Sequence, residues 1–130
     1  MPSIDVRLKL SALWLFILLN IVFRDLHQTL SPGYIDWVIE GEMFGMIITD
    51  ELLLFGGVAV EVMLIMVIAP HFLPRRLLRI TNLVVVIFSA MLLLFTPPID
   101  PDDVFFLIVC LSTLAAAAWH GWRWLEPENS

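Results

Sequence analysis

Four long apolar stretches dominate the chain, and most polar residues are confined to the short segments between them. They predict helices over about residues 8–28, 49–70, 77–97 and 101–124. A hydrocarbon core of ~30 Å takes about 20 residues of helix at ~1.5 Å each, so every segment is long enough to cross a bilayer. The short connections predict an all-α fold, a four-helix transmembrane bundle of up-down-up-down topology. Residues 1–130 then form a single transmembrane domain, with no stretch left over for a soluble core.

Local punctuation agrees with these bounds. Thr49 stands before Asp50-Glu51, and Asp100-Pro101 before Asp102-Asp103, both of them helix-start patterns with carboxylates at the positive end of the helix dipole. Ser31-Pro32 predicts the start of a short amphipathic helix over about residues 32–40, ended by Gly41. Tyr34 and Trp37 suit it to the membrane–water interface.

Composition moves the chain out of the soluble class. Hydrophobic residues make up 60% and mean hydropathy is +0.93, against about 45–50% apolar usage in soluble domains. Arg7, Lys9 and the run that follows resemble a signal peptide, but no small-x-small cleavage site precedes Arg24-Asp25, which predicts an uncleaved first helix. Six of the seven Lys and Arg residues (Arg7, Lys9, Arg75, Arg76, Arg79 and Arg123) fall before the first helix, between the second and third, or after the fourth. The positive-inside rule then puts both termini in the cytoplasm. The opposite rim collects Asp36, Glu40, Glu42, Asp50, Glu51, Asp100, Asp102 and Asp103, an acidic surface that attracts cations.

A lone Cys110 excludes an internal disulfide and a CxxC relay. His27 and His120 fall at opposite ends of their helices, which excludes bis-histidine haem within one chain, and no Glu-x-x-His pair marks a di-iron site. No cofactor is therefore expected, although a bound lipid or a divalent cation at the acidic rim is compatible with the sequence. The bilayer is the expected partner, a homo-oligomer or larger membrane complex is compatible, and nothing suggests nucleic acid.

The candidate chemistry centres on Glu61, a carboxylate in the middle of the second apolar run. An ionised Glu there costs several kcal/mol unless it is paired, hydrated or protonated. Helical rise puts Glu61 ~15 Å below Glu51, and Asn20 ~15 Å above residue 10, so the two reach one depth from opposite sides. Asn20, Arg24 and His27 share a face of the first helix. A core cluster of Glu61, Asn20 and Arg24 is expected, with Ser112 or Thr113 at a similar depth. Asp25, His27, Glu51 and Asp103 complete the candidate ligand- or ion-binding set; no residue is assigned a catalytic role. For Glu51 and Asp103 the plainer reading is helix capping, for Asp25 a charge partner for Arg24, and for His27 a solvated interfacial position.

The segments LSALWLFILLNIVFRDLHQTLSPGYID, ITDELLLFGGVAVEV and IDPDDVFF resemble a family of small four-helix prokaryotic integral membrane proteins that is a domain of unknown function. The most specific parts are the pattern of Asn20, Arg24, Asp25 and His27, the Glu51 and Glu61 helix, and Asp100, Asp102 and Asp103. The resemblance implies a four-helix fold in the prokaryotic cytoplasmic membrane and carries no activity. Three functions remain open. The first is binding or transport of a small ligand, cation or proton through Glu61 with Asn20 and Arg24. The second is an accessory or assembly subunit whose polar cluster is structural. The third is a membrane-embedded enzyme acting on lipid or isoprenoid, against which the lack of a nucleophile–base pair or metal motif weighs.

Overall fold

A computed structural model describes residues 5–43, 45–96, 98 and 100–124. Among these, the four apolar segments form four long helices: α1 (Val6–Thr29), α3 (Asp50–Ile68, continued by a 3-10 turn over Ala69–His71), α4 (Arg75–Phe95) and α5 (Pro101–Trp122). Each is long and apolar enough to cross a membrane. A short helix, α2 (Tyr34–Ile39), and a two-residue hairpin, β1 (Glu42–Met43) with β2 (Met46–Ile47), fill the connection between α1 and α3. The hydrophobic pattern does not predict the hairpin. Residue 97, the expected end of the third apolar segment, lies outside the described residues.

The caps are built from the side chains that spacing nominates. Thr49 Oγ1 accepts from the Leu52 backbone N–H at 3.1 Å, and Asp100 Oδ1 from that of Asp103 at 3.0 Å, each satisfying a free donor of a first turn. Ser31 does not cap α2. Gly33 holds that position at φ 82°, left-handed backbone suited to glycine, and the Ser31 hydroxyl donates to Asp100 Oδ2 at 2.8 Å.

Cross-helix hydrogen bonds fix alternating helix directions. At the start of α1, Arg7 Nη1 donates to the Pro70 and Leu73 carbonyls beyond the end of α3 (2.8 and 2.6 Å), and Ser11 Oγ to the Val67 carbonyl (2.6 Å). Arg75 and Arg79, opening α4, donate to the carbonyls of Trp124 and Trp122 at the far end of α5, where cations favour the negative end of that helix. Guanidinium groups of Arg7, Arg75 and Arg79 also lie over these tryptophan rings. Arg7, Arg75 and Arg79 thus gather at one end of the bundle, opposite the end that holds Asp50, Asp100 and Asp103.

A buried core of Leu10, Trp14, Ile17, Met66, Leu78, Leu114 and Ala117 runs along the axis. It contains one polar staple: Asn82 on α4 accepts from Trp14 Nε1 at 2.9 Å and donates to the Ala117 carbonyl at 3.0 Å. Gly121 makes room for it, because a Cβ there would collide with the Asn82 amide. Outside, large apolar side chains such as Leu54, Phe55, Ile80, Met91, Phe95 and Phe105 are exposed along all four long helices, a surface that water does not tolerate and lipid does.

Candidate functional site

The acidic end of the bundle holds the buried polar chemistry, and Arg24 is its centre. Arg24 lies on α1 and is 4% exposed, facing Asp103 of α5, 1% exposed, with Nε and Oδ1 3.5 Å apart. That separation is long for a directed hydrogen bond, so charge holds the pair. Gln28, one turn beyond Arg24 and also buried, points its amide at both Asp103 oxygens from 3.4 Å. A second Arg24 nitrogen, Nη2, reaches the Thr96 carbonyl at the end of α4 at 3.5 Å. Three long helices therefore meet around one guanidinium.

Groups near this cluster respond to it. Burial, then the charges of Asp25 and Asp103, pushes the Tyr34 phenol above its ordinary value. The backbone N–H of Asp103 and then the Ser31 hydroxyl hold the Asp100 carboxyl below the usual carboxylate range. His27 is exposed and tilts against the Phe106 ring at 5.2 Å.

The expected core cluster is not assembled. Glu61 is exposed on the outer side of α3, while Ala59, Met63 and Met66 form the buried stripe of that helix. At about 100° per residue, Glu61 stands roughly opposite this stripe. Asp50, Leu54, Gly57 and Glu61 do share a face, and it is the face turned away from the bundle. Asn20 is half-buried and returns its amide to the Phe16 carbonyl of its own helix at 2.8 Å. Thr113 is buried with its hydroxyl on the Val109 carbonyl, and Ser112 is exposed. Glu51 is exposed in the first turn of α3. Of the candidate residues, the structure brings Arg24, Asp25 and Asp103 together and leaves Glu61 and Glu51 elsewhere.

Beside Arg24 a cavity of about 230 Å³ opens between α1, α3 and α4. It exists because α3 leans on α1 and touches α4 only sparsely. Its body is apolar, formed by Phe55, Gly56, Ala59, Met63, Leu92 and Phe95, and its polar end carries Arg24, Asp25 and Thr96. Asp25 is exposed at this end; the only carboxylate salt-bridged to Arg24 among the described residues is Asp103. The described residues contain no group of three His, Cys, Asp or Glu side chains placed to hold a metal ion. Sequence reasoning missed Gln28 and the Asn82 staple. The second had a signal: Asn82 and Ser89 are spaced seven apart, hence on one face of an otherwise apolar helix, and both are buried.

The chain belongs to a family of unknown function, DUF6326, whose model matches residues 4–118. No match to it is found among curated proteins or among solved structures.

Proposed function

We propose, for this member of a family of unknown function, that it is a multi-pass protein of the prokaryotic cytoplasmic membrane that binds a small lipophilic cation in the cavity beside Arg24. The carrying observation is the lining of that cavity, an apolar body with the Asp25 carboxylate at one end. Arg24 is engaged by Asp103 and the Thr96 carbonyl, which leaves Asp25 to receive a positive head group. About 230 Å³ is smaller than the roughly 300–1,000 Å³ of drug-sized pockets, so the ligand is a small one. The acidic rim draws cations to this end. Leu10, Trp14, Met66 and Leu78, all fully buried, fill the bundle toward the basic end, which favours binding over passage through the protein.

In this reading the basic end faces the cytoplasm, both termini are inside, and α2 lies in the outer interface with Tyr34 and Trp37 at headgroup level. Calorimetric titration in lipid nanodiscs tests the binding proposal with benzyltrimethylammonium, benzyl alcohol and benzoate as probes. The cation should bind most tightly, and both Asp25→Asn and Ala59→Leu, which fills the cavity, should abolish that preference. Equal binding of the three probes, or full binding to Asp25→Asn, overturns it.

A further inference from the structure

A second opening lies at the basic end of the bundle, away from Arg24. Where α4 begins and α5 ends, a cleft of about 350 Å³ is lined by Arg75, Arg76, Arg79, Ile80 and Trp122. That volume falls within the roughly 300–1,000 Å³ of small-molecule sites. Spacing builds it: Arg75 and Arg79, like Arg76 and Ile80, are one helical turn apart, so the four side chains stand over neighbouring turns on one side of α4. Arg79 Nη2 donates to the Trp122 carbonyl at 2.6 Å, and its guanidinium lies 5.1 Å from the centre of the Trp122 ring. Arg75 donates to the Trp124 carbonyl. These contacts hold the arginines at the cleft without cancelling their charge, because a carbonyl is a neutral partner.

Three observations then point to an anion. A guanidinium carries five N–H donors, and Arg79 Nε is buried with no hydrogen-bond partner among the described residues. Among the same residues, neither Arg76 nor Arg79 is salt-bridged to a carboxylate. The first turn of α4 also holds no acidic residue and receives no side-chain cap from Pro74, whereas Asp5, Thr49 and Asp100 cap the other long helices. Its free N–H groups and the helix dipole add to the positive potential. Arginine, always charged and with a planar fork of donors, is suited to phosphate. The rest of the lining says what carries that phosphate. Ile80 and Trp122 are 59% and 60% exposed, so the lip of the cleft is apolar and opens on the surface that meets lipid. Ile80 lies ~7.5 Å along the helix from Arg75, which takes the cleft from headgroup level toward the acyl chains. A free phosphate would use only the arginines; a phospholipid uses both parts. Basic pockets between membrane helices suit anionic headgroups. We propose that this cleft binds an anionic phospholipid, with the arginines around its phosphate and an acyl chain along Ile80 and Trp122. This proposal rests on the membrane reading and is independent of the cavity beside Arg24 and its ligand.

Native mass spectrometry of the protein in mild detergent, titrated with phosphatidylglycerol or phosphatidylcholine, counts bound lipid and gives its affinity. Wild-type protein should bind phosphatidylglycerol more tightly. Arg76→Gln breaks no hydrogen bond of the fold and should weaken that binding about five-fold, the contribution of one basic residue at an anionic surface. Arg75→Gln/Arg76→Gln/Arg79→Gln should erase the preference. Because this triple variant also loses hydrogen bonds to α5, Ile80→Trp supplies a second test: it fills the cleft at constant charge and should weaken phosphatidylglycerol binding too. Arg123→Gln, outside the cleft on α5's far end, and Asp25→Asn should leave it unchanged. Equal binding of the two lipids, an equal loss in Arg123→Gln, or full binding to Ile80→Trp overturns the proposal. Displacement of the lipid by equimolar inorganic phosphate also overturns it and marks a site for a soluble anion. So does phosphatidylglycerol binding that emerges only when Glu126 and Glu128 are changed to glutamine, which marks a cleft filled by the chain's own carboxylates. Failure of the membrane reading shows separately, as protein that stays in solution without detergent, and overturns both.

Discussion

Replacing Asp103 by Asn removes the negative charge opposite Arg24 and leaves a buried guanidinium facing a neutral amide. With the two charges 3.5 Å apart, their attraction at an effective dielectric constant of ~20 is about 5 kcal/mol. Desolvation of both groups, 4% and 1% exposed, offsets much of this in the intact pair, but the single substitution keeps the desolvation and loses the attraction. The expected loss of stability is therefore about 3–5 kcal/mol. Arg24→Met alone should cost a comparable amount, because it strands the Asp103 carboxylate beside Gln28. The double variant Arg24→Met/Asp103→Leu buries no charge and should recover most of that loss. Denaturant unfolding of the four proteins in one mild detergent gives the cycle. Additive losses, or a cost below ~1 kcal/mol for Asp103→Asn, a value typical of exposed pairs, would refute the buried-pair account.

Other substitutions probe the rest of the core. Asn82→Leu strands the Trp14 indole N–H and the Ala117 carbonyl and should lower stability by about 2–4 kcal/mol, seen in the same unfolding assay. Gly121→Ala forces a methyl group into the Asn82 amide; a loss of about 1–3 kcal/mol is expected from overpacking, relieved when Asn82 is changed to Ala in the same chain. Tyr34 is the one tyrosine of the chain, so phenolate absorbance reports it alone. Its midpoint should lie above the ordinary 10.0 and fall when Asp25→Asn removes a nearby negative charge. The folded state favours the neutral phenol, so this contribution to stability is complete below the ordinary value and is lost as pH rises through the folded one.

The four long helices are legible in the sequence because run length and capping are local signals: Thr49 and Asp100 cap where their spacing says they should. The phase of α3 is not legible. Beyond its first turn α3 is apolar around its whole circumference, which gives periodicity nothing to work on, and the one charge in its interior, Glu61, taken as a marker of the inward face, marks the outward one. Ala59, Met63 and Met66 are buried instead because small and flexible side chains suit the close approach of α1. Misplacing Glu61 also hid the partner of Arg24. Asp103 has the sequence context of a first-turn carboxylate, and only packing of α5 against α1 shows that the same residue is buried opposite a guanidinium. Gln28 went unnoticed because a polar residue near a helix end is usually solvated. The cavity depends on how far α3 stands from α4, a distance that no local pattern encodes.

The placement of charge in this bundle is tested most directly by nitrogen–carbon recoupling in solid-state NMR, on protein in lipid bilayers with labelled arginine, aspartate and glutamate. The Arg24 side-chain nitrogens should couple to the carboxyl carbon of Asp103 and show no coupling to that of Glu61. Coupling of Arg24 to Glu61 in place of Asp103 would contradict the account.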